Sequence, residues 1–116
     1  MSATLTKLDA LIARFAAERD WEQFHTPKNL AMAMSVEASE VVEIFQWLTT
    51  EQSRELSAEQ KEHLADELAD TFIYLLKLAS AFRIDLPRAA RRKMAKNALK
   101  YPAAKARGRM TKYDKL

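Results

Sequence analysis

Apolar residues recur along this chain at helical spacing, and four segments carry the pattern. Leu5, Leu8, Leu11, Ile12 and Phe15 predict a first helix from about residue 4 to 19, with charges on its other side. Thr26-Pro27, an N-cap residue followed by proline at the first helical position, predicts the start of a second. That helix runs to about Leu48 on a stripe of Leu30, Met34, Val41, Ile44 and Leu48. A third helix opens after Ser57 and continues through Leu64, Leu68, Phe72, Leu75, Ala79 and Phe82. The fourth follows Asp85-Leu86-Pro87 and stops near Lys100, because Tyr101-Pro102 cannot continue it. The last dozen residues read as basic and extended.

From Thr71 to Phe82 the third helix is apolar almost all round, a pattern that predicts burial on every side. Four helices in 116 residues cannot wrap a central one completely, so a further subunit is expected to cover part of it. Composition agrees on class. One glycine, three prolines and 48% apolar residues leave few turns for a sheet and ample material for helices. The expectation is an all-α, four-helix bundle subunit that assembles into a dimer or tetramer. Residues 1–116 make one domain with a basic tail from about 103. The absence of cysteine excludes disulfides, thiol nucleophiles and thiolate-ligated zinc, and fits a reducing cytoplasm. With no signal-like N-terminus and no run long enough to span a bilayer, a soluble protein is expected. The net charge of +3 conceals a split: eleven Lys/Arg against one acid in residues 88–116, and eight against fifteen before them. A basic arm for nucleic acid and a basic wall facing a bound polyphosphate both fit that distribution.

The candidate chemistry is acidic. Glu37 and Glu40 are three apart on the second helix, and Glu67 and Asp70 three apart on the third, so each pair projects from one side of its helix. Glu37 lies about 20° from the centre of the apolar stripe and Glu40 about 80° from it. A carboxylate aimed at the interior with no Lys or Arg on its stripe calls for a cation, a raised pKa or a metal. An all-oxygen cluster suits Mg²⁺ or Mn²⁺ better than zinc. Magnesium bridges readily to phosphates, so the implied ligand is a polyphosphate, and the implied reaction is attack of water on phosphorus. Glu43, about 140° from the stripe, faces solvent. Tyr74, one turn beyond Asp70, either packs or offers a phenol to a sugar or base. Lys93, Asn97 and Lys100 share a face of the fourth helix, as a phosphate clamp or as a solvated stripe. Trp21, His25 and Trp47 are either core residues or a stacking and hydrogen-bonding surface for a base. No glycine-rich phosphate loop is present.

Together these residues resemble the MazG-like all-α nucleoside triphosphate pyrophosphohydrolases, whose signature is E-x-x-E on one helix and E-x-x-D on the next. Here these are Glu37-Ala38-Ser39-Glu40 and Glu67-Leu68-Ala69-Asp70. Three further blocks are similar to the dCTP pyrophosphatase branch: Asp20-Trp21 through Phe24-His25, Pro27 and Asn29-Leu30; Phe45-Gln46-Trp47; and Lys93-Met94, Asn97 and Lys100-Tyr101-Pro102. The likeness spans about residues 15 to 113. It implies a site where Glu37, Glu40, Glu67 and Asp70 hold Mg²⁺, for which Mn²⁺ can substitute, against a triphosphate. It further implies that Lys93 and Asn97 approach phosphate oxygens while Trp21, His25, Trp47 and Tyr74 surround the base and deoxyribose. The implied reaction releases pyrophosphate and a nucleoside monophosphate, in a homotetramer built from dimers that cleans the nucleotide pool. Relatives often carry glycine where this chain has Val36 and Ser39, which bears on pocket width. Two other expectations compete: the same fold acting on dUTP or phosphoribosyl-ATP, and a non-enzymatic helical module whose basic C-terminal segment binds nucleic acid.

Overall fold

A computed structural model describes residues 2–116, and within them the chain is helical with no strand. α1 spans Ala3–Glu18, α2 Pro27–Phe45, α3 Thr50–Ser53, α4 Ala58–Ala81, α5 Leu86–Lys100 and α6 Ala103–Ala106. The caps explain most of these starts. Thr26 accepts from the Asn29 amide with Pro27 at the first position of α2, and Asp85 accepts from the Arg88 amide at the head of α5. Ser57 and Gln60 form a reciprocal capping box at the head of α4.

Three boundaries differ from the reading of the sequence. α2 ends at Phe45 rather than near Leu48, because Thr49 and Gln52 form a second capping box that starts α3. That short helix lies between the second and third helices that the sequence predicts. The C-terminal tail, expected to be extended, contains α6 and a 3-10 turn at Tyr113–Lys115. It folds back on the end of α5, with the Tyr101 and Tyr113 rings edge to face at 6.1 Å and Lys100 Nζ 4.9 Å above the Tyr113 ring.

α2 packs extensively on α4, and α1 lies along α4 as well. Among the described residues the buried apolar ones are Ile12 and Ala16 on α1, Leu30 on α2, and Leu76 and Ala79 on α4. This is one small cluster where three helices meet. α5 has no buried residue, and Leu99 on it is 83% exposed.

Burial of α4 on every side is not met within one chain. Leu76 and Ala79 face inward, but Leu68, Phe72, Leu75 and Phe82 reach the surface, because α1 and α2 cover only part of the circumference of α4. Overall dimensions say the same. The radius of gyration is 17.7 Å, against about 13 Å for a compact domain of this length. The accessible surface is 9314 Å², against roughly 6,500 Å² for a compact monomer of this mass.

With so small a core, each buried leucine carries a large share of the stability. We expect Leu76→Ala to cost about 2–5 kcal/mol, read as a lowered midpoint in urea denaturation followed by circular dichroism.

Candidate metal centre

The α2 and α4 contact brings both acid pairs to one place. Oxygens of Glu37, Glu67 and Asp70 lie within 4.8 Å of one another. Glu40 joins them through hydrogen bonds to both Glu37 and Glu67. Asp70 is exposed, whereas the three glutamates are half-buried. Among the described residues no Lys or Arg pairs with any of the four. Their one basic neighbour is His63, whose Nε2 sits 3.3 Å from Glu67 Oε1.

Like charges held so close raise one another's pKa. Glu37 is pushed up to about 7, first by burial, then by the proton shared with Glu40 and by the negative charges of Glu40, Asp70 and Glu67. Glu67 is raised as well, first by its hydrogen bond with Glu40 and then by burial, with His63 opposing. Glu37 Oε2 and Glu67 Oε2 are buried without a hydrogen-bond partner. Two orphaned carboxylate oxygens within an all-oxygen, net-negative cluster fit a hard divalent cation, which would satisfy both and cancel the repulsion.

Glu37 and Asp70 also line a cleft of about 380 Å³. One wall is aromatic: His25 meets Trp21 edge to face at 6.3 Å and Tyr74 at 6.2 Å. Trp21 and His25 flank a 3-10 turn at Glu22–Phe24, and Tyr74 stands one helical turn beyond Asp70. The His25 imidazole is held below its ordinary pKa, first by burial and then by the Lys77 cation, against the opposing Glu22. It is therefore neutral at physiological pH, with a buried Nδ1 that has no partner.

The facing wall comes from α1, through Leu8, Leu11, Ile12 and Phe15. In the sequence this helix shows only an apolar stripe with charges on its other side, and no candidate chemistry. Four of the five stripe residues line the cleft, and two of those stay exposed, Leu11 at 62% and Phe15 at 49%. Lys77, which also lines the cleft, was missed too. The signal was a lysine inside the apolar run from Thr71 to Phe82.

Three of the anticipated residues stand elsewhere. Trp47, in the turn after α2, is 87% exposed, and Lys93 and Asn97 lie on α5; none of them lines this cleft. Between the two acids of α2, Ser39 donates its hydroxyl to the Val36 carbonyl at 2.6 Å.

An acid pair on each of two packed helices, beside an aromatic cleft, defines an all-helical protein with a carboxylate cluster that could hold a metal ion. Residues 32–116 match the MazG-like family, and the chain belongs to that family. It is 45% identical to dCTP pyrophosphatase 1 of Homo sapiens, over 97% of this chain and 68% of that one. It is 44% identical to dCTP pyrophosphatase 1 of Bos taurus, with the same coverage. Its fold is similar to the crystal structure of a pyrophosphatase from Archaeoglobus fulgidus, with a TM-score of 0.81 and 38% identity over 88% of this chain and 95% of that one.

The raised pKa of Glu37 fixes the sign of two pH effects. The folded chain holds this proton more tightly than the unfolded chain, whose glutamate has the ordinary value of 4.5. The stability so contributed is complete below about pH 4.5 and is lost as pH rises through about 7. A cation has the opposite trend, since it needs the carboxylate deprotonated. We expect Glu37→Gln to raise the melting temperature of the chelator-treated protein at pH 8 and to abolish the further rise that Mn²⁺ gives the wild type, as read by thermal denaturation.

Proposed function

We propose that this chain is a magnesium-dependent dCTP pyrophosphohydrolase that converts dCTP and water to dCMP and pyrophosphate. The observation that carries the reading is the convergence of Glu37, Glu67 and Asp70, two of them with orphaned buried oxygens, at one end of an aromatic cleft of nucleoside size. Identity of 45% to a dCTP pyrophosphatase supports the substrate.

Glu37, Glu40, Glu67 and Asp70 are the residues that hold Mg²⁺, with Mn²⁺ able to replace it. The ion, when bound, supplies charge neutralisation to the triphosphate and to the developing charge at the α-phosphorus. The other roles fall to the chain itself. Trp21, His25 and Tyr74 enclose the base and deoxyribose, the apolar face of α1 excludes water from one side, and neutral His25 offers its Nδ1 to the base. Because Asp70 and Tyr74 are successive turns of α4, a base held by the aromatic wall has its phosphates directed toward the acids.

Trp47, Lys93 and Asn97 enter the same reading through assembly. We infer a homotetramer, a dimer of dimers, in which a second copy covers the exposed Leu68, Phe72 and Leu75 of α4 and brings further groups to the cleft mouth. Lys93 and Asn97 then approach phosphate oxygens, and Trp47 closes over the base. The role is the cleaning of the nucleotide pool in the cytoplasm, by a single domain with a basic tail. No helix among the described residues is long and apolar enough to cross a membrane.

The test is pyrophosphate release from a panel of canonical and 5-modified nucleoside triphosphates, with Mg²⁺ and again with excess chelator. We expect dCTP to lead and chelator to abolish release. Glu40→Ala and Asp70→Ala should each reduce turnover by at least roughly 10²-fold with unchanged helical circular dichroism. A lead for dUTP or phosphoribosyl-ATP overturns the base assignment alone. No hydrolysis of any nucleotide, together with salt-sensitive binding of DNA or RNA, replaces the reading with that of a nucleic-acid-binding module.

A further inference from the structure

Lys77 is 89% covered, its side chain being only 11% exposed. A lysine removed from water to that extent needs partners for its three N–H donors. It has one, Glu22 Oε1 at 2.6 Å, and among the described residues Nζ makes no other hydrogen bond. Glu22 belongs to the turn flanked by Trp21 and His25, so the pair ties that segment to α4 across 55 residues of sequence. Asp70, Tyr74 and Lys77 recur at helical spacing along α4, which places the ammonium two turns from the acid cluster. Behind it lies a second recess of about 450 Å³ that shares Ile12, His25 and Lys77 with the first but none of the four acids. Lys77 therefore stands beyond Tyr74 from the acids, so a nucleotide whose phosphates meet the acid cluster would bring its base, and not its phosphates, toward the ammonium.

An ammonium can only donate. Its complement on a base is an acceptor, and an exocyclic amine in the same place would face it donor to donor. All pyrimidines present a carbonyl oxygen as that acceptor; adenine has no carbonyl and offers only ring nitrogens. We propose that Lys77 is a specificity-determining residue of the cleft, steadied by Glu22, that donates a hydrogen bond to a carbonyl oxygen of the nucleotide base. This rests on the reading above that a base occupies the cleft, and it adds a contact that the acid motif and the aromatic block do not contain.

The experiment measures kcat/KM for dCTP and dATP with wild type, Lys77→Met, Lys77→Arg and Glu22→Ala, alongside Mn²⁺ binding in the absence of nucleotide. Losing one hydrogen bond that the site is built to make should cut the dCTP over dATP preference roughly tenfold in Lys77→Met. Lys77→Arg should retain most of the preference, Glu22→Ala should lower it, and Mn²⁺ binding should be equal in all four. An ion pair that merely stabilises the fold would lower the melting temperature and leave the preference unchanged, which overturns the proposal. Equal loss for both nucleotides overturns it as well. Should Lys77→Met fail to fold, Glu22→Ala is read by the same two criteria. A wild type that hydrolyses neither nucleotide overturns the assigned activity, and this inference with it. A wild type that is active, paired with variants of unaltered preference, overturns this inference alone.

Discussion

Packing α2 against α4 places Glu37, Glu40, Glu67 and Asp70 in one another's field with no Lys or Arg among the described residues paired to them, and the rest of the molecule is arranged around that unfavourable contact. The helices carry enough apolar surface to meet regardless, with Leu30 on α2 and Leu76 on α4 almost fully buried. The electrostatic cost is met by protons: one is shared through Glu40, and Glu37 keeps its own up to about pH 7. A divalent cation held there would relieve the same repulsion, since its charge would offset that of carboxylates of which two buried oxygens have no hydrogen-bond partner. Binding energy and relief of repulsion would then be one term, and stability would respond strongly to metal.

The cleft depends on the same packing by a different route. Tyr74 and Lys77 are fixed by being on the helix that carries Glu67 and Asp70, so their distance from the acids is set by a rigid element rather than a loop. The segment from Trp21 to His25 is irregular and needs tethers. The Glu22–Lys77 ion pair, the His25–Tyr74 ring contact, and the Asn29 side chain donating to the Phe24 carbonyl at 3.0 Å together supply them. Upstream, Asp20 adopts a left-handed conformation with φ of 55°, and the Trp21 amide returns to the Ala16 carbonyl, so α1 ends in a tight reversal that aims Trp21 back over its own last turns. Phe15 then meets Trp21 edge to face at 5.8 Å. Helix end, turn and cleft wall are one construction.

What the sequence could reveal follows the range of each signal. Helix starts were legible because caps are local: Thr26 before Pro27, Ser57 and Asp85 each sit where they were expected. The acid pairs were legible because a carboxylate inside an apolar stripe is anomalous without any tertiary knowledge. α3 was missed, since four residues give no periodicity, although Thr49 with Gln52 is a capping signature. The role of α1 was missed for a deeper reason. Periodicity reports that a face is apolar, and an apolar face reads alike whether another helix or a ligand cavity covers it; Leu11 and Phe15 stay exposed and Ile12 is buried, yet all three line the cleft.

That same ambiguity explains the over-reading of α4 and points to the assembly. An all-round apolar helix announces that something covers every side, and within one chain the covering stops at α1 and α2, leaving Leu68, Phe72 and Leu75 outside. The surplus surface, roughly 2,900 Å² above that of a compact monomer of this mass, is comparable to what obligate interfaces bury. Trp47, Lys93 and Asn97, carried by the turn after α2 and by α5, belong to elements that one chain leaves uncovered. If a second copy covers the exposed face of α4, as proposed, the site is divided between what a single fold positions, the acids and one cleft wall, and what a neighbouring copy would close. Association and catalysis would then not be separable properties. The exposed apolar face of α4 lies on the helix that presents Glu67, Asp70, Tyr74 and Lys77, so a contact that hid Phe72 would also steady the helix that carries the acid pair.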